Sequence, residues 1–217
     1  MNNADILAKC DHTELRPEAT ENDIFRLIDD AITYKTASVC IPPCYVASAF
    51  NYANGKMPIC TVIGFPCGYA TTTVKMAETA EALQNGASEI DTVINIGHMK
   101  NGDYDAILQE IKALKALCGD KILKVIVETC LLTEEEKITA CRLVSEGGAD
   151  YIKTSTGFSH GGASVADVQL LRQYVAPAVR VKASGGIRSF SFAEELIKAG
   201  ADRLGASALV KEIKVHG

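Results

Sequence analysis

Apolar and polar positions along this chain follow two periods that take turns. Short runs rich in strand formers occur at 10–13, 38–41, 59–63, 89–94, 123–127, 151–154, 179–182 and 202–205. Most lack clean polar alternation, as strands buried on both faces do. The run at 10–13 is short and polar and counts as a strand only in the company of the others. Helical stretches lie between them. Residues 72–85 are rich in alanine and glutamate and stop at Gly86. Residues 104–118 are apolar at 107, 108, 111, 114, 117 and 118, a helical period, and stop at Gly119. Residues 133–146 open with Thr133-Glu134-Glu135-Glu136, which predicts a capping box with threonine at N-cap and glutamate at N3. Residues 189–198 stop before Gly200. Eight strand-then-helix units predict an α/β chain folded as one (β/α)8 TIM barrel over residues 1–217, with an open doubly wound sheet as the alternative.

Composition narrows the partners. The 217 residues are 47% hydrophobic, enough for a large core, and carry a formal net charge of −5, which disfavours nucleic acid. No apolar run approaches the ~20 residues that span a bilayer, so no membrane association is expected. The first ten residues carry no long apolar stretch of a signal peptide, so a cytoplasmic location is expected. Eight cysteines sit mostly inside apolar patterns with no Cys-x-x-Cys, and are expected to be buried free thiols, Cys40 among them. The histidines at 12, 98, 160 and 216 lack metal-ligand spacing, so neither metal nor cofactor is expected.

The candidate chemistry lies in two lysines, each planted in the same kind of segment. Tyr151-Ile152-Lys153-Thr154-Ser155-Thr156-Gly157 and Arg180-Val181-Lys182-Ala183-Ser184-Gly185-Gly186 both run from strand formers through a lysine into small turn residues. Neighbouring parallel strands lie ~4.8 Å apart. Two ammonium groups so placed raise each other's cost of protonation, one of the few ways to make a lysine nucleophilic. In a barrel the working polar residues sit at C-terminal strand ends. Asp11, Cys40, Asp91, Asn95, Lys124, Lys153 and Lys182 are expected there. Ser184-Gly185-Gly186-Ile187-Arg188 and Gly205-Ala206-Ser207-Ala208 fall in the seventh and eighth loops, the usual phosphate site of this architecture.

At these residues the chain resembles deoxyribose-phosphate aldolases. The matching phrases are Lys153–Gly157, Val181-Lys182-Ala183-Ser184-Gly185-Gly186-Ile187-Arg188, Glu89-Ile90-Asp91-Thr92-Val93-Ile94-Asn95, Leu123-Lys124-Val125-Ile126-Val127-Glu128-Thr129 and Gly205-Ala206-Ser207, together with Asp11-His12-Thr13 and Val39-Cys40-Ile41-Pro42-Pro43. The resemblance implies a metal-free lyase that splits 2-deoxy-D-ribose 5-phosphate reversibly into D-glyceraldehyde 3-phosphate and acetaldehyde. It implies that Lys153 forms the Schiff base, that Lys182 is the neighbouring cation that depresses its pKa, and that Asp91 relays protons. It places Gly157, Gly185, Gly186, Gly205 and Ser207 at the phosphate, Thr156 at a substrate hydroxyl, and Asp11 and Lys124 in the surrounding polar network. The implied partners are a phosphorylated sugar and an aldehyde, and a homodimer is compatible with the sequence. Two positions depart from some members: Phe158 stands where they carry a lysine, and no tyrosine follows Tyr174 in a chain that reads Lys214-Val215-His216-Gly217. Another lysine-imine barrel enzyme and a non-catalytic sugar-phosphate sensor are the rival readings. The first fits the short chain and lysine pair less well. The second has no need of Lys153 beside Lys182 and Asp91.

Overall fold

The computed structural model describes residues 1–216, with side chains as far as Lys214; Gly217 and the side chains of Val215 and His216, part of the sequence-predicted tail, lie outside the described residues. The chain runs α1 (Asn3–Leu7), β1 (Cys10–Thr13), α2 (Glu21–Tyr34), β2 (Ser38–Ile41), α3 (Val46–Ala53), β3 (Ile59–Ile63), α4 (Thr72–Gln84), β4 (Glu89–Val93), α5 (Ile96–Asn101), α6 (Tyr104–Cys118), β5 (Ile122–Ile126), α7 (Glu134–Glu146), β6 (Tyr151–Lys153), α8 (Val165–Tyr174), β7 (Arg180–Ser184), α9 (Phe190–Lys198), β8 (Arg203–Ala206) and α10 (Leu209–His216). The eight strands pair in parallel in sequence order, and β8 returns to β1 to close a barrel. This is the (β/α)8 TIM barrel the alternating periods predict. No described helix is long and apolar enough to cross a membrane.

Period two along each strand divides its residues between two environments. Ile41, Ile59, Ile63, Ile90, Val125, Ile152, Val181 and Leu204 join the aliphatic core between strands and helices. The alternate residues, Cys40, Cys60, Asp91, Lys124, Lys153 and Lys182, face the lumen. Contacts across the lumen require this, since Asp91 on β4 reaches Lys182 on β7. Register puts the lumen groups level with one another: Asp91 is opposite Lys124, Lys153 opposite Lys182, and Asp11 opposite Gly205.

Local signals explain the helices. Thr133 accepts from Glu136 N while the Glu136 side chain takes Thr133 N–H, the capping box expected for α7. Thr20 and Asp23 form the same box at the start of α2. α1, α2, α3, α5, α8 and α10 were not among the sequence-predicted helices, although the Thr20-x-x-Asp23 spacing marks α2. On α4, Lys75 is fully buried and donates to Val93 O at 2.7 Å and to Glu110 Oε1 at 2.6 Å, which ties that helix to the end of β4.

Candidate active site

Lumen-facing residues from five strands form a closed ring of charge. Arg203 donates to Asp11 Oδ1 at 2.9 Å. Asp11 Oδ2 accepts from Lys182 Nζ, which also donates to Asp91 Oδ2 at 2.7 Å. Asp91 Oδ1 accepts from Lys124 Nζ at 2.9 Å. Lys124 lies 2.5 Å from Glu89 Oε2, a charge contact outside hydrogen-bonding angles, and Glu89 Oε1 accepts from Arg203 at 3.1 Å. Three cations thus alternate with three carboxylates. Lys153 hangs from the ring as a fourth cation, its Nζ 2.7 Å from Asp91 Oδ2. Asp91 is the one carboxylate in ion-pair reach of it among the described residues. Cys60 donates to Asp91 Oδ1 at 3.2 Å, so every accepting direction of that carboxylate is engaged.

Pairing beats burial throughout the ring. Burial pushes Asp91 up, but Lys124, Lys153 and Lys182 outweigh it and hold the carboxyl well below the usual range. Burial also pushes Asp11 up, yet Lys182, Lys124 and Arg203 hold it down at about 2. Burial draws Lys182 down, and Asp11 and Asp91 overcome it and push it above the ordinary lysine range. Lys124 is raised in the same way, chiefly by Asp91. A unit pair 4 Å apart is worth about 4 kcal/mol at an effective dielectric of about 20, and each ring member has two partners. Lys124 and Lys182 therefore stay ammonium ions at neutral pH.

Above the ring opens a cavity of about 580 Å³ lined by Lys153, Thr156, Gly157, Gly186, Arg188 and Ser207 among others. That volume suits a small metabolite. Lys153 is 3% exposed and stands at the cavity floor, at the last residue of β6. The cavity wall is built by close backbone approach. A Cβ on Gly162 would lie 2.4 Å from Gly185 O, and one on Gly185 would lie 3.1 Å from Gly162 Cα. Gly186 has φ +77°, and a Cβ there would meet nothing within 4 Å, so this residue faces open cavity. The adjoining helix α9 opens with Ser189 accepting from Phe192 N.

Several sequence expectations shift by one layer. Asp11, Asp91, Lys124 and Lys182 lie within their strands, below the mouth, because β1, β4, β5 and β7 each run two residues beyond them. Asn95 does not face the lumen; it follows β4 and caps α5 by accepting from His98 N. Gly205 lies on β8, within the strand run read at 202–205, and also lines the cavity; a Cβ there would lie 3.2 Å from Lys182 Cε, so its bareness makes room for that lysine. Thr156, Gly157, Gly185, Gly186 and Ser207 all line the cavity. Cys40 is buried, as expected, and pairs in register with Cys60, whereas Cys44 and Cys67 are exposed and Cys130 half-buried, against the expectation of buried thiols. Sequence reasoning missed Glu89, Arg203, Gly162 and the cavity cations Arg16 and Lys211. Glu89 was findable, being two residues from Asp91 on the same strand face.

Comparison with known proteins agrees with this fold. The family model described as DeoC/LacD family aldolase matches residues 6–211. A Clostridium botulinum protein named deoxyribose-phosphate aldolase is 52% identical over 214 residues, 99% of this chain and 97% of that one. A Streptococcus pyogenes protein of the same name is 54% identical over 210 residues, 97% of this chain and 94% of that one. Among solved structures, the tetrameric deoxyribose phosphate aldolase of Aeropyrum pernix superposes with a TM-score of 0.92 at 31% identity, covering 100% of this chain and 94% of that one.

Proposed function

This chain belongs to the DeoC/LacD aldolase family, a family of lyases, and we propose that it cleaves 2-deoxy-D-ribose 5-phosphate reversibly into D-glyceraldehyde 3-phosphate and acetaldehyde, in deoxyribose phosphate breakdown, through an imine on Lys153. The observation that carries this reading is the place of Lys153: a surplus cation on a neutral charge ring, at the floor of a cavity that admits a sugar phosphate.

The chemistry follows from that placement. A free lysine has a pKa near 10.4, so about one in 2,500 is neutral at pH 7. Lys182, held as an ammonium ion, shares Asp91 Oδ2 with Lys153, so the two amines compete for one carboxylate oxygen. Neutral Nζ of Lys153 adds to the C1 aldehyde, and the carbinolamine loses water. The protonated imine takes the electron pair as the C2–C3 bond breaks and the C3 hydroxyl gives up its proton. Glyceraldehyde 3-phosphate leaves. The enamine is protonated at C2, and hydrolysis frees acetaldehyde. The imine is the electron sink that a Lewis acid supplies in other aldolases.

Asp91 is a poor base while three ammonium groups surround it. As Lys153 gives up its charge, one of the three is gone and Asp91 gains proton affinity at the moment a carbinolamine needs a relay. Asp11 and Lys124 keep the ring closed around it. The phosphate sits against Gly157, Gly185, Gly186 and Ser207, with Gly205 below and Arg188, Arg16 and Lys211 near, and Thr156 takes a hydroxyl of the sugar chain. Borohydride with acetaldehyde tests the reading. It should leave one two-carbon unit per chain, mapped by peptide mass spectrometry to Lys153. A label on Lys182 would reverse the two roles, and the absence of any label would sink the imine.

A further inference from the structure

Glu128 has no part in the chemistry above, yet the fold holds it in an unfavourable backbone state. It follows β5 with φ +54°, a region that side chains other than glycine rarely adopt. Its side chain is buried, at 3% exposure. Oε2 and Oε1 accept from the backbone N–H of Thr156 at 3.2 and 3.4 Å. Oε2 also meets Thr156 Oγ1 at 2.5 Å. An oxygen that receives an N–H is acting as an acceptor, so in that short contact the threonine hydroxyl is the donor. A hydroxyl has one proton and two lone pairs. The proton goes to Glu128, and Phe158 N–H takes one lone pair at 3.0 Å. What Thr156 can offer to the cavity is one lone pair.

We infer that Glu128 is a specificity-determining positioning residue: it takes the proton of Thr156, leaves that hydroxyl able only to accept, and so selects a hydrogen-bond donor, a hydroxyl group, on the substrate chain between Lys153 and the phosphate loop. This rests on the reading of Thr156 as the partner of a sugar hydroxyl. An acceptor aldehyde carrying a hydroxyl beside its carbonyl satisfies the lone pair. One without it leaves the lone pair buried and unpaired, and sites built for a hydroxyl reject such analogues strongly. If Glu128 only anchored the loop after β6, its loss would hurt all substrates alike. Glutamine separates the two ideas. Its amide oxygen can still take Thr156 N–H, while its NH₂ can donate to Oγ1 and turn the hydroxyl's proton toward the cavity.

The test is the condensation of acetaldehyde with D-glyceraldehyde 3-phosphate and with 3-phosphooxypropanal, the same chain without the hydroxyl. Wild type should prefer the first. Glu128→Gln should lose about tenfold more kcat/KM on the hydroxylated aldehyde than on the other, at an unchanged thermal midpoint. Thr156→Val should narrow the preference equally, and the double variant should narrow it no further. Should Glu128→Gln fail to fold, wild type alone decides: the 2-fluoro analogue, which cannot donate, should have a higher KM than the hydroxyl-free aldehyde, and a lower one overturns the inference. A preference that survives Glu128→Gln, equal loss on both aldehydes, or additive narrowing in the double variant also overturns it. Wild type that joins neither aldehyde to acetaldehyde sinks the aldolase reading itself, and this inference with it.

Discussion

The lumen and the mouth of this barrel handle charge in opposite ways. In the lumen, Asp11, Asp91, Lys124 and Lys182 are fully buried and each meets at least two groups of opposite sign. At the mouth, the cavity is walled by glycine backbone, and its cations Arg188 and Lys211 are exposed. The lumen completes its electrostatics without a ligand, which suits a region that holds its charges in fixed places. In the proposed function, the N–H groups of the mouth are the ones an arriving anion would satisfy, which suits binding and release. The cost of breaking each region should differ accordingly: lumen changes strike rate, pH dependence and stability, and mouth changes strike KM for phosphorylated substrates.

The contrast breaks most sharply at Lys153 and Lys182, which face each other in register. Lys153→Leu removes the proposed nucleophile and should cut kcat on the order of 10⁴-fold or more. It also removes the surplus cation from a ring that is neutral without it, so denaturant unfolding should show a change of about 1 kcal/mol or less. Lys182→Leu should do the reverse. It leaves Asp11 and Asp91 short of a partner and should destabilise the fold by about 3–5 kcal/mol. Its kcat should fall about 10²–10³-fold, because the cation that shares Asp91 with Lys153 is gone. Equal stability losses in the two variants would mean that Lys153 is a ring member like the rest.

Acid tests the ring without mutation. Asp11 is held at about 2 in the fold against an ordinary 3.8. A carboxyl lowered on folding contributes stability that is fully present above the unfolded value and fades as pH falls through the folded one. The ring should lose on the order of 2 kcal/mol as pH drops from 3.8 to about 2, read from urea unfolding at pH 5 and pH 2.5. Asp11→Asn should be less stable at pH 5 and lose less over that interval. A wild-type curve that stays flat would mean that Asp11 is no better paired in the fold than in the unfolded chain.

At the mouth, Gly186→Ala adds a methyl group that points into open cavity at a residue with φ +77°. It should raise KM for deoxyribose 5-phosphate about tenfold, through strain and through displacement of the anion from the loop N–H groups. Use of unphosphorylated deoxyribose should stay nearly constant. Equal damage to both substrates would make this loop structural and put the phosphate elsewhere.

How much of this was legible in the sequence depends on whether the information is local. Strand positions were legible because burial on both faces leaves an apolar run that turn residues punctuate. The lysine pair was legible because both lysines sit in like segments and need only neighbouring strands to meet. Ring closure was not. Arg203 reads as an ordinary charge at a strand start, and only the closure of β8 on β1 brings it to Asp11, 192 residues away. The depth of Lys182 was misplaced because its strand was read as ending there, whereas β7 runs on to Ser184; Asp91 and Lys124 were expected at the mouth although their own strands were read past them. Glu128 was quoted in a motif without a role, since its left-handed φ and its hold on Thr156 exist only once β5 and β6 lie side by side.

The smallest expected effect sharpens the comparison most, because it adds charge where the fold uses little. Phe158 lines the cavity beside Gly157, is 48% exposed, and meets Phe65 edge-on with ring centroids 5.3 Å apart. Phe158→Lys should lower KM for deoxyribose 5-phosphate by about twofold to fivefold, the range of an exposed ion pair worth up to about 1 kcal/mol. The lost aromatic pair is worth about 0.5–1.5 kcal/mol and should appear in the thermal midpoint, not in KM. Salt then separates the two kinds of recognition. An exposed lysine is screened, since the Debye length shrinks to about 3 Å at 1 M ionic strength, so the variant's advantage should vanish there. Backbone N–H bonds to a phosphate bound as proposed would be shielded by the ligand itself, so preference for the phosphorylated sugar should persist in wild type and variant alike. If that preference disappears in salt for both, the mouth binds by diffuse charge and the contrast with the lumen is one of degree.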